Sequence, residues 1–186
     1  NGSFSASETY TVDTVPPEVV SCLRTDASPT SATQVTFALT FSEMVNGLDT
    51  SDLVVIASGM TNVSVASVSG SGTSYMVTLN TGTGVGTLSV RLVDNDSIRD
   101  GVGHPLGGPG ETNGSFMDAD TYSIDTIPPV VTGCIRNEAS PTNAKQVTFQ
   151  LIFRESVSGL DTDDLVVDAP DMIGASIESV SGSGAS

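Results

Sequence analysis

Apolar and polar residues alternate in several short segments of the chain, and this two-residue period predicts β-strands. The clearest case is residues 35–41, where Val, Phe, Leu and Phe occupy the odd positions and would face a core. Residues 75–79 and 88–92 alternate in the same way. No segment sustains the 3.6-residue period of an amphipathic helix, and Val, Thr, Ser and Gly are abundant. The pattern therefore predicts an all-β chain.

Turns rich in glycine, proline, serine and asparagine separate these segments. The strands predicted between the turns lie near residues 18–25, 34–41, 52–57, 62–69, 74–80, 86–93 and 115–124. Seven short strands in about 110 residues are typical of an immunoglobulin-like (Ig-like) β-sandwich. We therefore expect that fold.

The first 74 residues return 112 positions later, and no gap is needed to align the two copies. Residues 1–74 align with residues 113–186, and 44 of the 74 pairs are identical. Self-similarity at a fixed period indicates a tandem array, and a unit of about 112 residues can bury its own core. We expect residues 1–12 to be the last strand of a preceding module, 13–124 a complete module, and 125–186 the truncated N-terminal part of the next. The truncated part lacks three strands, so Phe149, Leu151 and Phe153 should be poorly covered.

Each joint between modules contains a double proline. Residues 13–17 read Asp-Thr-Val-Pro-Pro, and residues 125–129 read Asp-Thr-Ile-Pro-Pro. Because proline fixes φ and has no backbone donor, these segments suit a short, stiff, extended joint better than a central strand. Neighbouring modules of the same chain are therefore the first partners we expect.

The charge of the chain excludes two classes of partner. Twenty-two acidic residues against six basic ones give a net charge of −16. The chain therefore lacks the Lys and Arg that nucleic acids and anionic membrane surfaces require, and no apolar run is long enough to insert into a bilayer. Such a charge favours solubility, repulsion between copies or the collection of cations.

The two cysteines, Cys22 and Cys134, occupy the same position in successive copies. One cysteine per module cannot form a disulfide within that module. Because each lies in an apolar stretch, we expect both to be small buried hydrophobic residues; the alternative is a reactive or intermolecular thiol.

Five segments carry a resemblance to a known repeat. They are the joint at 12–17, Ser-Pro-Thr at 28–30, Phe-Ser-Glu-Met-Val-Asn-Gly-Leu-Asp at 41–49, Ser-Gly-Ser-Gly-Thr-Ser-Tyr at 69–75, and the aspartate-rich loop at 94–107. They are similar to bacterial Ig-like repeats, and the likeness extends over the whole chain. The resemblance implies an Ig-like sandwich within a long secreted or cell-surface protein, often an adhesin. The chain departs from the usual pattern in the last loop, where Val102-Gly103-His104-Pro105 replaces Ala-Gly-Asn-Pro.

Five carboxylates are expected at one end of the complete module. In a seven-strand sandwich, the start of the module shares one end with the second-to-third and sixth-to-seventh connections. That end would gather Asp13, Glu43, Asp94, Asp96 and Asp100. Because Ca²⁺ takes six to eight oxygen ligands, often from carboxylates, the sequence predicts a calcium site at the joint.

The alternative interpretation leaves these carboxylates solvated. Aspartate, asparagine and glycine are ordinary turn formers, and Arg99 would offset part of the charge. The loop is also not an EF-hand, because Arg99 stands where that loop requires glycine. A second acidic pair, Asp49 and Asp52, lies three residues apart and is expected to cap a turn rather than share a ligand.

Catalysis has no support in the sequence. His104 is the only histidine, so a Ser-His-Asp triad would depend on one loop residue, and no Cys/His cluster has zinc-site spacing. The favoured function is a non-catalytic spacer or stalk module of a bacterial extracellular or surface protein, stiffened by Ca²⁺. The alternatives are a module that binds a glycan or a protein ligand, and an accessory domain of an extracellular hydrolase.

Overall fold

The computed structural model describes residues 8–185. The chain forms two compact units, Asn1–Ile127 (unit 1) and Pro128–Ser186 (unit 2). The strands of unit 1 are β1 (Val19–Arg24), β2 (Gln34–Val45), β3 (Leu53–Thr61), β4 (Ser64–Asn80), β5 (Thr83–Leu92) and β6 (Tyr122–Asp125). A 3₁₀ helix at Thr50–Asp52 precedes β3. Within residues 8–185 there is no helix long and apolar enough to cross a membrane.

Unit 1 consists of two antiparallel sheets. One has the strand order β1-β2-β4 and the other β3-β5-β6. Side chains from both sheets meet in one apolar core. The unit is therefore the all-β sandwich that the alternation of residues predicts.

Strand β4 folds back on itself. The Asn80 side-chain amide donates a hydrogen bond of 2.9 Å to the Ser64 hydroxyl, whereas a straight strand would hold these residues roughly 50 Å apart. Gly70 and Gly72 between them have φ of +116° and +71°, and a Cβ on Gly70 would lie 2.5 Å from the Ser74 carbonyl oxygen. The two limbs of β4 thus form a hairpin, which confirms the separate strands predicted on either side of this turn. Counted this way, residues 8–127 of unit 1 form seven strands.

The alternating residues of β2 face the core as predicted. Val35, Phe37, Leu39 and Phe41 are each at most 2% exposed. Phe37 is paired with Val77 of β4 in the strand register, and Leu39 with Tyr75. The strand also runs four residues beyond its predicted end, to Val45.

The last predicted strand, 115–124, is much shorter in the structure. Only β6 pairs with β5, while Phe116 forms a single antiparallel bridge with Leu92. Between them the chain is bonded to both sheets: the Asp120 amide donates to the Cys22 carbonyl of β1, and the Ser89 hydroxyl of β5 donates to the Asp120 carbonyl. A segment bonded to both sheets cannot continue the ladder of either one.

Tyr122 of β6 joins the two sheets. It is fully buried, and its ring lies edge-on to Phe37 of β2 with the ring centroids 5.1 Å apart. Its hydroxyl donates to the Thr36 carbonyl at 2.6 Å and accepts from the backbone amides of Thr25 and Asp26 at 3.1 and 3.0 Å. One side chain therefore fixes β6 against β1 and β2.

Unit 2 repeats the first part of this structure. Its strands are β7 (Val131–Arg136) and β8 (Phe149–Phe153), followed by a 3₁₀ helix at Thr162–Asp164. The register of β7 on β8 repeats that of β1 on β2, including the same irregularity near the start of β7. The counterpart of β3, residues 165–173, forms no strand, because the chain carries no counterpart of its partner β5 in unit 2.

The core residues of unit 2 are poorly covered, as predicted. Phe149 is 59% exposed, and Leu151 and Phe153 are only half-buried. For Cys134 the prediction of a buried residue is wrong: Cys22 is 4% exposed, but Cys134 is exposed. The reason is that the cover over Cys22 comes from parts of unit 1 that unit 2 does not have.

The strand predicted for residues 1–12 is not present in residues 8–12, the part of this segment that the structure describes. Residues 1–7 lie outside the described residues, and residues 8–12 belong to no strand. Tyr10, the counterpart of the buried Tyr122, is 89% exposed. These residues have no neighbouring strand equivalent to β5 with which to pair. The boundary between the compact units follows Ile127, three residues after the module end expected at 124.

The role of Tyr122 can be tested by removing its hydroxyl alone. We expect Tyr122→Phe to lower the free energy of unfolding by about 1–3 kcal/mol, because buried backbone groups lose their partner. Urea unfolding followed by circular dichroism measures this change. Tyr10→Phe, at the exposed counterpart, is the matched control and should leave the midpoint unchanged; equal effects of the two substitutions would contradict the proposed joining of the sheets.

Candidate cation site at the acidic end of unit 1

Three segments meet at one end of unit 1: the joint 13–18, the loop after β2, and the long connection 93–121. Glu18 and Ser42 are joined twice, by the Ser42 amide to the Glu18 carbonyl and by the Glu18 amide to the Ser42 hydroxyl, each at 2.9 Å. The Gly107 amide donates to the Pro17 carbonyl at 2.9 Å. The joint is therefore held by the last part of β2 and by the long connection, at the end of the sandwich where the topology places them.

The two loops also bind each other. Asn46 and Arg99 exchange backbone hydrogen bonds of 2.8 and 2.9 Å. Gly47, with φ of +95°, packs so closely that a Cβ would lie 2.3 Å from the Ser97 carbonyl oxygen. Only glycine fits this position, and it brings the end of β2 against the loop that contains Asp100.

Asp100 organises that loop. One carboxylate oxygen accepts three backbone hydrogen bonds, from Val102, Gly103 and His104 at 2.9, 2.6 and 2.8 Å, and the other lies 2.8 Å from His104 Nδ1. Burial by itself would raise the pKa of Asp100, but these hydrogen bonds outweigh it and hold the pKa below its ordinary value. Asp100 therefore stays ionised although it is only 5% exposed.

Asp13, Asp100 and His104 form one group, in which a ligand atom from each lies within 4.8 Å of the others. Glu43 is close enough to interact with all three. Its pKa is raised, first by burial and then by the charges of Asp13 and Asp100, while His104 acts in the opposite direction. Two of the five predicted carboxylates, Asp13 and Asp100, thus lie in one group with His104, and Glu43 is near enough for their charges to act on it. His104 is a site residue that the sequence reasoning missed; its signal in the sequence is the departure from the usual repeat pattern at residues 102–105.

Asp94 and Asp96 instead accept hydrogen bonds from backbone amides of the connection 93–121. Asp94 is 2% exposed and accepts from the backbone amides of Asp96 and Gly114, at 3.0 and 3.1 Å. Asp96, with φ of +62°, accepts from the Gly110 amide at 3.1 Å. These carboxylates hold the connection 93–121 together and lie outside the group of Asp13, Asp100 and His104.

The second acidic pair caps a helix, as predicted. Asp49 and Asp52 form a capping box around the 3₁₀ helix. A further role of Asp52 was missed: it is buried, and one oxygen accepts from the Asn95 amide at 3.2 Å and the Ser97 hydroxyl at 3.0 Å. Asp52 therefore links the start of β3 to the acidic loop.

The donor set fits a weakly held cation. One oxygen of Asp13 accepts the Val15 amide at 3.1 Å, and Asp100 is already engaged through both oxygens. Most of the six to eight oxygens that Ca²⁺ takes would have to come from water. Imidazole suits zinc, copper or nickel better than calcium, so His104 is the residue of this group that would favour those metals over Ca²⁺.

The structural role of Asp100 predicts a pH-dependent effect. Because the pKa of Asp100 is lowered in the folded protein, its ionised carboxylate stabilises the fold when the pH is above 3.8, the ordinary pKa of the group. This stabilisation is lost as the pH falls through the lower pKa of the folded state. Asp100→Ala should therefore lower the melting temperature at pH 7, and the difference from the unchanged chain should narrow below about pH 4. Asp118→Ala, at an exposed position, should have little effect at either pH. A difference that grows in acid would contradict this assignment.

The comparisons with known proteins agree with the fold. Residues 13–117 match the family model described as bacterial Ig-like domain, a span that contains Asp13, Glu43, Asp100 and His104. Comparison with curated proteins and with solved structures gives no match. Ig-like domains of this kind are in general non-catalytic modules. The matched span covers more than half of the chain, which therefore belongs to the bacterial Ig-like domain family.

Proposed function

We propose that this chain is a spacer: part of a tandem array of Ig-like modules in a bacterial extracellular or surface protein of the adhesion type. The observation that carries the proposal is the repetition of local structure at a spacing of 112 residues. The β1–β2 and β7–β8 registers, the two capping boxes and the bridges Val45–Gly72 and Val157–Gly184 all recur at that spacing. A module copied with its joint is suited to extending a chain.

The joints support a spacing role. The Asp13 carboxylate accepts the Val15 amide at 3.1 Å, and Asp125 accepts the Ile127 amide at 3.0 Å. Each joint thus has the same aspartate turn directly before its double proline. Fixed φ at the prolines keeps such a segment extended, and the net charge of −16 opposes collapse of one module onto another.

The proposal includes a Ca²⁺ ion held by Asp13, Glu43 and Asp100. Asp13 belongs to the joint, whereas Glu43 lies near the end of β2 and Asp100 lies in the long connection 93–121. Burial and, after it, the charges of Asp13 and Asp100 raise the pKa of Glu43, and a divalent cation between the three carboxylates would offset the charge repulsion. It would also fix the joint to the end of the sandwich. Extracellular modules typically hold Ca²⁺ at about 10⁻⁴–10⁻³ M.

Calcium binding should stabilise unit 1. With a dissociation constant of about 10⁻³ M, about 10 mM Ca²⁺ should raise its melting temperature by roughly 5 °C. The double variant Asp13→Asn with Glu43→Gln should abolish the rise, because both substitutions remove charge without changing side-chain size. Differential scanning calorimetry measures both effects.

Glu155→Gln is the matched control, because Glu155 is the counterpart of Glu43 in unit 2, where the long acidic loop has no copy. It should leave the calcium-dependent rise intact. A rise with Zn²⁺ and none with Ca²⁺ would show that the imidazole of His104 selects the metal and would end the calcium proposal.

The spacer role predicts a regular increase in length. Chains of one, two and three complete modules should differ in maximum dimension by a near-constant roughly 35–40 Å per module, the length of strands of 10–12 residues. Small-angle X-ray scattering measures this dimension. Replacing both prolines of each joint, as in Pro128→Gly with Pro129→Gly, should shorten the mean dimension. A maximum dimension that stays constant as modules are added would exclude a spacer.

A further inference from the structure

The outer edges of the two sheets in unit 1 are not equally covered. The free side of β1 is covered by the connection before β6, because the Asp120 amide donates to the Cys22 carbonyl at 3.0 Å. The outer side of β6 is covered by Thr30, which forms backbone hydrogen bonds of 3.0 Å with both Ser123 and Asp125. Strand β3 is an edge strand that pairs only with β5 among the described residues. Its outer edge is therefore open.

The open edge of β3 presents the backbone groups of alternate residues. The Asp52 carbonyl accepts from the Val93 amide at 2.8 Å, and residue pairs in an antiparallel ladder alternate between bonded and non-bonded. Even-numbered residues in the first part of β3 are therefore bonded to β5 in the observed register, and odd-numbered ones face outwards. The Leu53 amide is already bonded to the Thr50 carbonyl. The open groups are the Leu53 carbonyl and the amides and carbonyls of Val55 and Ala57.

The open edge has no charge and exposes apolar side chains. None of the nine residues of β3 is charged, in a chain of net charge −16. Val54 and Ile56 face away from the core and are 45% and 36% exposed. The first limb of β4 also lies at an edge, but only serine and alanine side chains are exposed there. An uncharged, apolar edge such as β3 is suited to pairing with a strand of another chain.

The sequence copy of β3 in unit 2 has the protection that β3 lacks. Residues 165–173 read Leu-Val-Val-Asp-Ala-Pro-Asp-Met-Ile. Asp168 stands where β3 has Ile56, and Pro170 stands where it has Ser58. Charged residues and proline are the usual means by which proteins keep edge strands from pairing with other chains. The open edge is thus a property of this module's own sequence and not of the repeat as a whole.

We propose that β3 pairs edge to edge with β3 of a second copy of this chain, in antiparallel orientation and with two-fold symmetry. With the axis at Val55, this residue lies opposite its own copy, and Ala57 lies opposite Leu53 of the second copy. These pairs form about four main-chain hydrogen bonds between the open groups. On the outer face, Val54 lies opposite Ile56 of the second copy, so that apolar side chains meet across the contact.

A second copy suits this edge because the contact is self-complementary and places no carboxylate of one β3 opposite a carboxylate of the other. One pair of strands buries less area than a standard protein interface, so the association is weak and grows with protein concentration. The net charge of −16 opposes it at low ionic strength, and added salt screens that repulsion. Such pairing joins two chains side by side, which goes beyond the spacer role and does not depend on it.

The experiment is sedimentation equilibrium of the 186-residue chain in about 0.5 M NaCl, at up to about 1 mM protein. We expect the average mass to rise with concentration from that of one chain toward that of two. Ile56→Asp, which introduces the residue found at position 168, should raise the dissociation constant at least about 10-fold, because like charges then meet near the axis. Val20→Asp, at an exposed residue of β1, is the matched control and should leave the dimer unchanged.

Hydrogen exchange followed by NMR locates the contact. At high concentration the amides of Val55 and Ala57 should exchange more slowly, whereas those of Val54 and Ile56 should not change, because they are already bonded to β5. Ala57→Pro removes an open donor and leaves the β5 ladder intact, since proline is tolerated where the N–H of an edge strand faces solvent. This variant should also weaken the dimer. Melting followed by circular dichroism checks that each variant is folded.

Three results would overturn the proposal. In the first, the chain sediments as a single copy at every concentration. In the second, the folded variants Ile56→Asp and Ala57→Pro associate as strongly as the unchanged chain. In the third, the slowed amides lie in the first limb of β4 or in unit 2 and not in β3, so that copies associate through another surface.

Discussion

The contact of Tyr122 with Phe37 is the constraint on which the complete module depends. It joins strands of opposite sheets that lie 85 residues apart in sequence, so the core can form only when both parts of the module are present. Tyr10 shows what happens otherwise: it sits in nearly the same local sequence, Thr-Tyr-Thr-Val-Asp-Thr, and is 89% exposed. Apolar burial is the main stabilising term of such a domain, and here it is decided by distant chain segments.

This constraint explains how far the sequence could predict the fold. Alternation at 35–41 and the glycines at 70–72 are local signals, and both identified real elements, the strand β2 and the hairpin within β4. The failures are non-local. Residues 117–121 lie within the strand predicted at 115–124, but Asp120 is bonded to the opposite sheet. Residues 165–173 copy most of β3 yet stay irregular, because a strand is stable only beside a partner and theirs is missing.

At the acidic end of unit 1, too, the sequence could predict some features of the site and not others. Topology alone brought Asp13, Glu43 and Asp100 together, because the order of strands in a sandwich fixes which loops share an end. Topology could not show which carboxylates accept hydrogen bonds from backbone amides. Asp94 and Asp96 are bound by amides of their own connection, and such bonds depend on loop conformation. His104 was overlooked because its value lies in its contact with Asp100, four residues away, rather than in any motif.

Some carboxylates at this end are held by hydrogen bonds and others are not, and this difference determines which of them a bound cation would affect. Asp100 is buried, ionised and satisfied by three amides and an imidazole, so its position is fixed before any ion binds. The remaining repulsion falls on Glu43, which is half-buried, and Asp13, which is exposed. A cation held mainly by these two carboxylates would keep much of its water and bind weakly. The proposed site would therefore act on the joint, where Asp13 lies, and leave the fold of the sandwich to its core.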